Sequence, residues 1–125
     1  MIEKDLGDYL AENVALCGGR THAPRLPRSP MFPCLVYQRV SGVPAYSHDG
    51  YSHLTETRYQ ITGWATGYEE VREMAAQVRT VLDGYEGMMG STFIGHCLCV
   101  ADRDIFEAGT GIYQVPLDFM IAFND

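Results

Sequence analysis

Apolar residues recur at Ile2, Leu6, Tyr9, Leu10 and Val14, the three- and four-residue spacing of one helical stripe, so residues 3–16 read as an amphipathic helix. Gly18-Gly19 ends it, because glycine takes the left-handed closing conformation without a side-chain clash. The second helical stripe is Val71, Met74, Ala75, Val78 and Leu82, with Glu69, Glu70, Arg72, Glu73, Gln77 and Arg79 mostly off it. Thr66-Gly-Tyr-Glu69 matches a capping box at its start, and Asp83-Gly84 ends it.

Elsewhere the period is two. Cys34 to Ser41 is rich in strand formers, and Thr57 to Ala65 sets Tyr59 and Ile61 against Arg58, Gln60 and Thr62. Residues 92–106 read as one strand, apolar on both faces in its first half and therefore central in a sheet. From Ile112 to Phe123, apolar residues alternate with Gln114, Pro116 and Asp118, the mark of a sheet with one face on the core. Pro116 has no backbone donor, which predicts an edge strand or an unpaired side there. Lone Trp64 is expected to pack at the end of its strand.

The order helix, strands, helix, two strands gives the α+β class: an antiparallel or mixed sheet of about four to five strands with two α-helices on one face. The four prolines between Thr21 and Pro33 forbid helix and make that segment an extended connector, with room for a short strand at its start. Between the first two long strands lies a loop of about fifteen residues, where connections typically run about 4–6, and loops of that length tend to be functional. At 125 residues the chain matches one core and one domain, 1–125.

Charge narrows the function. Nine Lys and Arg against sixteen Asp and Glu give a net charge of −7, which disfavours a nucleic-acid or anionic-lipid reader. From Asn13 to His48 there is no acid but there are Arg20, Arg25, Arg28 and Arg39; from Ala101 onward Asp102, Asp104, Glu107, Asp118 and Asp125 face Arg103 alone. Such asymmetry suits head-to-tail contact between identical subunits as well as two ordinary solvated faces. No apolar run spans a bilayer and Met1 opens no secretory leader, so a soluble protein is expected, with no membrane partner.

Catalytic chemistry does not assemble. Cys17, Cys34, Cys97 and Cys99 have neither zinc nor secreted-disulfide spacing, and are expected as reduced, largely buried thiols. His96 and Cys97, adjacent on a strand, point to opposite faces and cannot form a dyad. His48, Asp49, His53 and Glu56 offer donors for a metal, but the spacing fits no compact ligand motif and Asp49-Gly50 is a turn signal. Gly87, Gly90 and Gly95 follow a helix and precede a strand, the reverse of a phosphate-binding turn. No cofactor and no enzymatic activity are expected.

The chain resembles the tail-completion, or tail terminator, proteins of long-tailed bacteriophages and gene transfer agents over nearly its whole length. The resemblance rests on Ile2-Glu-Lys-Asp-Leu-Gly-Asp-Tyr-Leu10, Arg25-Leu-Pro27, Phe32-Pro-Cys-Leu-Val-Tyr-Gln-Arg-Val-Ser-Gly42 and Ser47-His-Asp-Gly50. It continues through Arg58-Tyr-Gln-Ile, Trp64-Ala65, Leu82-Asp-Gly84, Arg103-Asp-Ile-Phe-Glu107 and Thr110-Gly-Ile-Tyr-Gln-Val-Pro-Leu-Asp-Phe119. Order and spacing together carry it; Pro116 and the cysteines depart from the pattern.

The resemblance implies a virion protein, a homo-hexameric ring on the head-proximal end of the tail tube that stops tube polymerisation and joins the head. Its partners would be itself, the major tail tube protein and a head-completion or connector protein, with DNA crossing the lumen unbound. Residues 43–57 would project toward a partner, with Ser47, His48, Asp49, Gly50, Tyr51 and His53 as contacts. Arg25, Arg28 and Arg39 would meet Asp102, Asp104 and Glu107 between ring neighbours. Two readings compete: a metal-dependent enzyme using His48, Asp49 and His53, and a monomeric module that adds a peptide strand to an edge at Ile112 to Phe123.

Overall fold

A computed structural model describes residues 1–40, 45–46 and 54–124. The elements in chain order are α1 (Ile2–Asn13), β1 (Thr21–His22), β2 (Cys34–Arg39), β3 (Ala45–Tyr46), β4 (Thr55–Ala65), α2 (Tyr68–Leu82), β5 (Gly87–Met89), β6 (Thr92–Asp102), β7 (Ile105–Glu107) and β8 (Ile112–Asn124). A short 3-10 helix over Ala15–Cys17 follows α1, so the first helix is shorter than its apolar stripe, and Gly18 closes that turn in the left-handed region.

The strands form one eight-stranded sheet in which β1-β2-β4-β8-β6-β5 lie side by side, with β3 on β4 and β7 on β8. The pairing of β1 with β2 is parallel and every other pairing is antiparallel, so the sheet is mixed. The expected four to five strands undercount it. The strands without a sequence signal are β3 and β5, of two and three residues, too short to display an alternation; β1 is the short strand at the start of the proline segment, and β7 falls at the end of the expected strand over 92–106.

β8 is not an edge strand: it lies between β4 and β6, and Pro116 sits opposite Thr62. Its accommodation is local. The Pro116 carbonyl accepts from the Arg103 amide at 3.3 Å, so the proline nitrogen points to the same side. There β6 has ended at Asp102 and β7 has not begun until Ile105, so the expected single strand over residues 92–106 is two. The missing donor of Pro116 falls on that break, and the unpaired side expected from the sequence is there.

The core lies on one face. Leu35, Tyr37, Tyr59, Ile61, Val115, Leu117, Phe119 and Ile121 of the sheet join Leu6 and Leu10 of α1 and Met74 and Val78 of α2 in a single buried cluster. All five apolar positions read for α2 are buried. Two glycines permit the close approach. A Cβ on Gly7 would collide with the Tyr37 hydroxyl, and one on Gly63 would lie 3.0 Å from the Met74 methyl.

The start of α2 differs from the capping-box reading. Gly67 is the N-cap, in extended conformation and with no side-chain cap, and Val71 N–H closes the first turn on its carbonyl at 3.1 Å. Starting one residue later removes Glu69 from the position that reaches back to a Thr66 cap. The Asp83-Gly84 stop holds, and it has a second effect on β6, which is the last long strand. Gly84 N–H donates to the Cys97 carbonyl at 2.7 Å and Asp83 Oδ1 accepts from Cys99 N–H at 2.9 Å, covering part of an edge that would otherwise be free.

Candidate functional site

The side chains of β2, β4 and β8 that point away from the helices build the site. Their register places Val36 and Gln38 beside Gln60 and Thr62, and Thr62 and Trp64 beside Pro116 and Gln114. Neither α1 nor α2 packs on this face. The segment after β1 walls one side with Pro24, Arg25 and Leu26, and Arg103 with Ile105 at the β6–β7 break walls the other. The result is a groove of about 440 Å³, of the size that holds a small ligand or several side chains of a partner.

The chemistry of the groove is that of a donor surface. Gln38 donates to Gln60 Oε1 at 3.4 Å, Gln60 donates to Asp118 Oδ1 at 3.0 Å, and Arg58 donates to Asp118 Oδ2 at 3.0 and 2.6 Å. The nearby acid is thus occupied by its own sheet. Trp64 Nε1 is buried on the floor with no acceptor among the described residues, and the Arg25 and Arg103 guanidinia make no ion pair among them. Beyond Asp118 the same face turns apolar: Met88 and Phe93 pair across β5 and β6, and Leu98 lies opposite Met120. Met88, Phe93 and Leu98 are 59%, 44% and 50% exposed, with His96 between the last two on the same face of β6.

The positions singled out in the sequence separate. Ser47, His48, Asp49, Gly50, Tyr51 and His53 lie outside the described residues, as does most of the 43–57 loop. Arg25 walls the groove, Arg28 is exposed further along the same segment, and Arg39 ends β2 in register with Tyr59. Asp102 pairs with Arg79 at 3.4 Å; Asp104 pairs with Arg72 at 2.9 Å and accepts from the Tyr68 hydroxyl at 2.9 Å. Glu107 accepts from Thr110 at 3.0 Å and from Gln114 at 2.7 Å. The acidic segment therefore has partners inside its own chain, two of them arginines of α2.

No activated thiol serves the groove, although Cys34 stands opposite Trp64 at the end of its floor. Cys17, Cys34 and Cys97 are free and buried, with Cys99 half-buried, as expected of packing thiols. Burial pushes the Cys97 thiol up to about 12 and the Cys34 thiol up to about 11, the reverse of activation. His96 stands on the open face opposite Ala122 while Cys97 enters the core, so the two part as their alternation requires. Among the described residues no group of three or more His, Cys, Asp or Glu is placed to hold a metal ion, and no helix is long and apolar enough to cross a membrane.

Sequence reasoning missed the groove. Its walls come from residues near 25 and 103, far apart in the chain, and only its floor had a signal: the shared parity of Gln60, Thr62 and Trp64 on β4.

The domain thus has one face covered by its helices and one open face that carries a polar groove. The tail completion protein gp17 family matches residues 9–124, and the chain belongs to that family. By that membership it is a structural tail protein. Its fold is similar to a chain in a structure described as the virion of a native gene transfer agent particle, at a TM-score of 0.66 and 14% identity, covering 90% of this chain and 84% of the other. No curated protein matches the sequence.

Proposed function

We propose that the protein forms a ring of six copies on the head-proximal end of the tail tube, where it ends tube polymerisation and presents the surface that joins the head. The observation that carries this reading is the open sheet face of a tail-completion domain, with arginines that make no ion pair among the described residues and with exposed apolar side chains. The partners are further copies of the chain, the major tail tube protein and a head-completion or connector protein. A net charge of −7 favours DNA passage through the lumen without binding, because cationic contacts are what hold a phosphate backbone. No cofactor and no catalysis are needed. The strand-addition alternative loses its edge, since β8 is flanked on both sides.

Tails assembled with and without the protein test this reading. Without it, tubes should have a broad length distribution and fail to join heads; tubes of unchanged, uniform length would refute it.

The segment 43–57 is proposed to contact the tube or the head-completion protein, with Ser47, His48, Asp49, Gly50, Tyr51 and His53 as contact residues. Six copies acting together would offset weak single contacts. Replacing residues 47–53 by a short Gly-Ser linker should leave the melting temperature within a few degrees and reduce head joining to background. Joining at the wild-type level would remove the loop from the account.

A further inference from the structure

We infer that the groove on the open sheet face receives the exposed stripe of α2 from a second copy of this chain. The inference deepens the ring reading by naming the two surfaces that meet, and it relies on that reading for closure alone.

Width, chemistry and charge select this occupant. The floor is three neighbouring strands, β2, β4 and β8. At about 4.8 Å per strand the outer two are about 10 Å apart, and an α-helix with its side chains is about 10–12 Å across. The walls carry two guanidinia that make no ion pair among the described residues, Arg25 and Arg103, while the nearby Asp118 carboxylate is already held by Arg58 and Gln60. A carboxylate, which only accepts, is the complementary group.

The matching surface lies on the opposite side of the same molecule. Glu69, Glu73, Ala76 and Thr80 are exposed and follow one another at four- and three-residue steps along α2. Arg72 and Arg79, which would neutralise that stripe, are turned to Asp104 and Asp102. Glu69 and Glu73 thus present carboxylates that make no ion pair among the described residues, and the small Ala76 and Thr80 behind them permit close approach to the floor. A contact between two different faces of one chain is head-to-tail, the type that generates rings when its rotation closes. Stacking the open sheet face of one copy on the helical face of the next also covers apolar surface that the isolated chain leaves in water.

Charge reversal tests it. One variant carries Arg25→Glu and Arg103→Glu, the other Glu69→Lys and Glu73→Lys; all four positions are exposed, and circular dichroism confirms the fold of each. A milder variant, Arg25→Gln with Arg103→Gln, guards against a folding failure. Assembly is measured by sedimentation in solution and by co-sedimentation with purified tail tubes, on whichever the wild type assembles. Each reversal alone should weaken assembly about tenfold or more, the neutral variant less, and an equimolar mixture of the two reversals should restore it, since both contacts then join opposite charges. Trp64 is the chain's only tryptophan, so its emission should shift on assembly of the wild type and of the mixture.

Reversal variants that assemble like the wild type, a mixture that does not recover, or an unchanged Trp64 emission would each overturn the inference. The ring reading fails separately. If the mixture pairs but grows open chains instead of one closed species, the contact stands and the ring does not. If the wild type closes rings that neither reversal disturbs, the ring stands and the contact does not. A wild type that assembles in neither setting overturns both.

Discussion

Phe119→Ala is expected to lower the unfolding free energy by about 3–5 kcal/mol, the usual cost of removing a fully buried phenylalanine. Phe119 is completely inaccessible at the middle of β8, opposite Tyr59 on β4 and Cys99 on β6. β4 and β6 flank this position and α2 packs on the same strand, so neighbours on rigid elements can collapse only partly into the space. Urea denaturation at neutral pH measures the loss. Leu98→Ala, on the open face, is the control and should change stability by no more than about 0.5 kcal/mol. Equal effects for the two would mean that the helix-covered face is not where the stability of the fold lies.

Asp5→Ala is expected to cost about 3 kcal/mol at pH 7, and less in acid. The Asp5 carboxylate joins α1 to the start of β6: Thr92 donates to it at 2.5 Å, Ser91 at 2.8 Å, and the amino group of Met1 lies 3.3 Å away. The Thr92 hydroxyl leads in drawing its pKa from 3.8 down to about 2, against the opposing effect of burial. Because the folded carboxyl is the more acidic one, its contribution is fully present above the unfolded value near 3.8 and is lost as pH falls through about 2. The shift corresponds to about 2 kcal/mol of the total. Denaturation of both proteins at pH 7 and at pH 2 should show the gap between them narrowing by that amount. A gap that stays constant would mean that the two hydroxyls, and not the charge, hold the junction.

Much of the fold was legible because long elements repeat their period. The stripe of α2 and the alternation of β4 and β8 are sustained over eleven or more residues, and all led to the correct buried face. Pro116 carried a true signal with two meanings, an edge or a local break, and only the register of β6 and β7 decides between them. The acidic segment shows a different limit. Arg72 and Arg79 lie outside the acid-free stretch that suggested its partner, yet the fold brings them to Asp104 and Asp102. Pairings made by packing leave no pattern in the linear order of charges.

The site was harder to read for the same reason. Arg25 was singled out and does wall the groove, but Arg103 entered only as a lone cation among acids, and Trp64 as a packed strand end. Each acquires its role from a neighbour some forty to eighty residues away, and neither has a local period that points to it.

The central claim is a closed ring at one end of the tail, and averaged electron microscopy of purified tails tests it most directly. The account predicts six-fold density at the head-proximal end alone, into which this α+β domain fits six times, with one copy's α2 against the next copy's open sheet face. Density repeated along the tube, placed at the distal tip, or lacking rotational symmetry would contradict it.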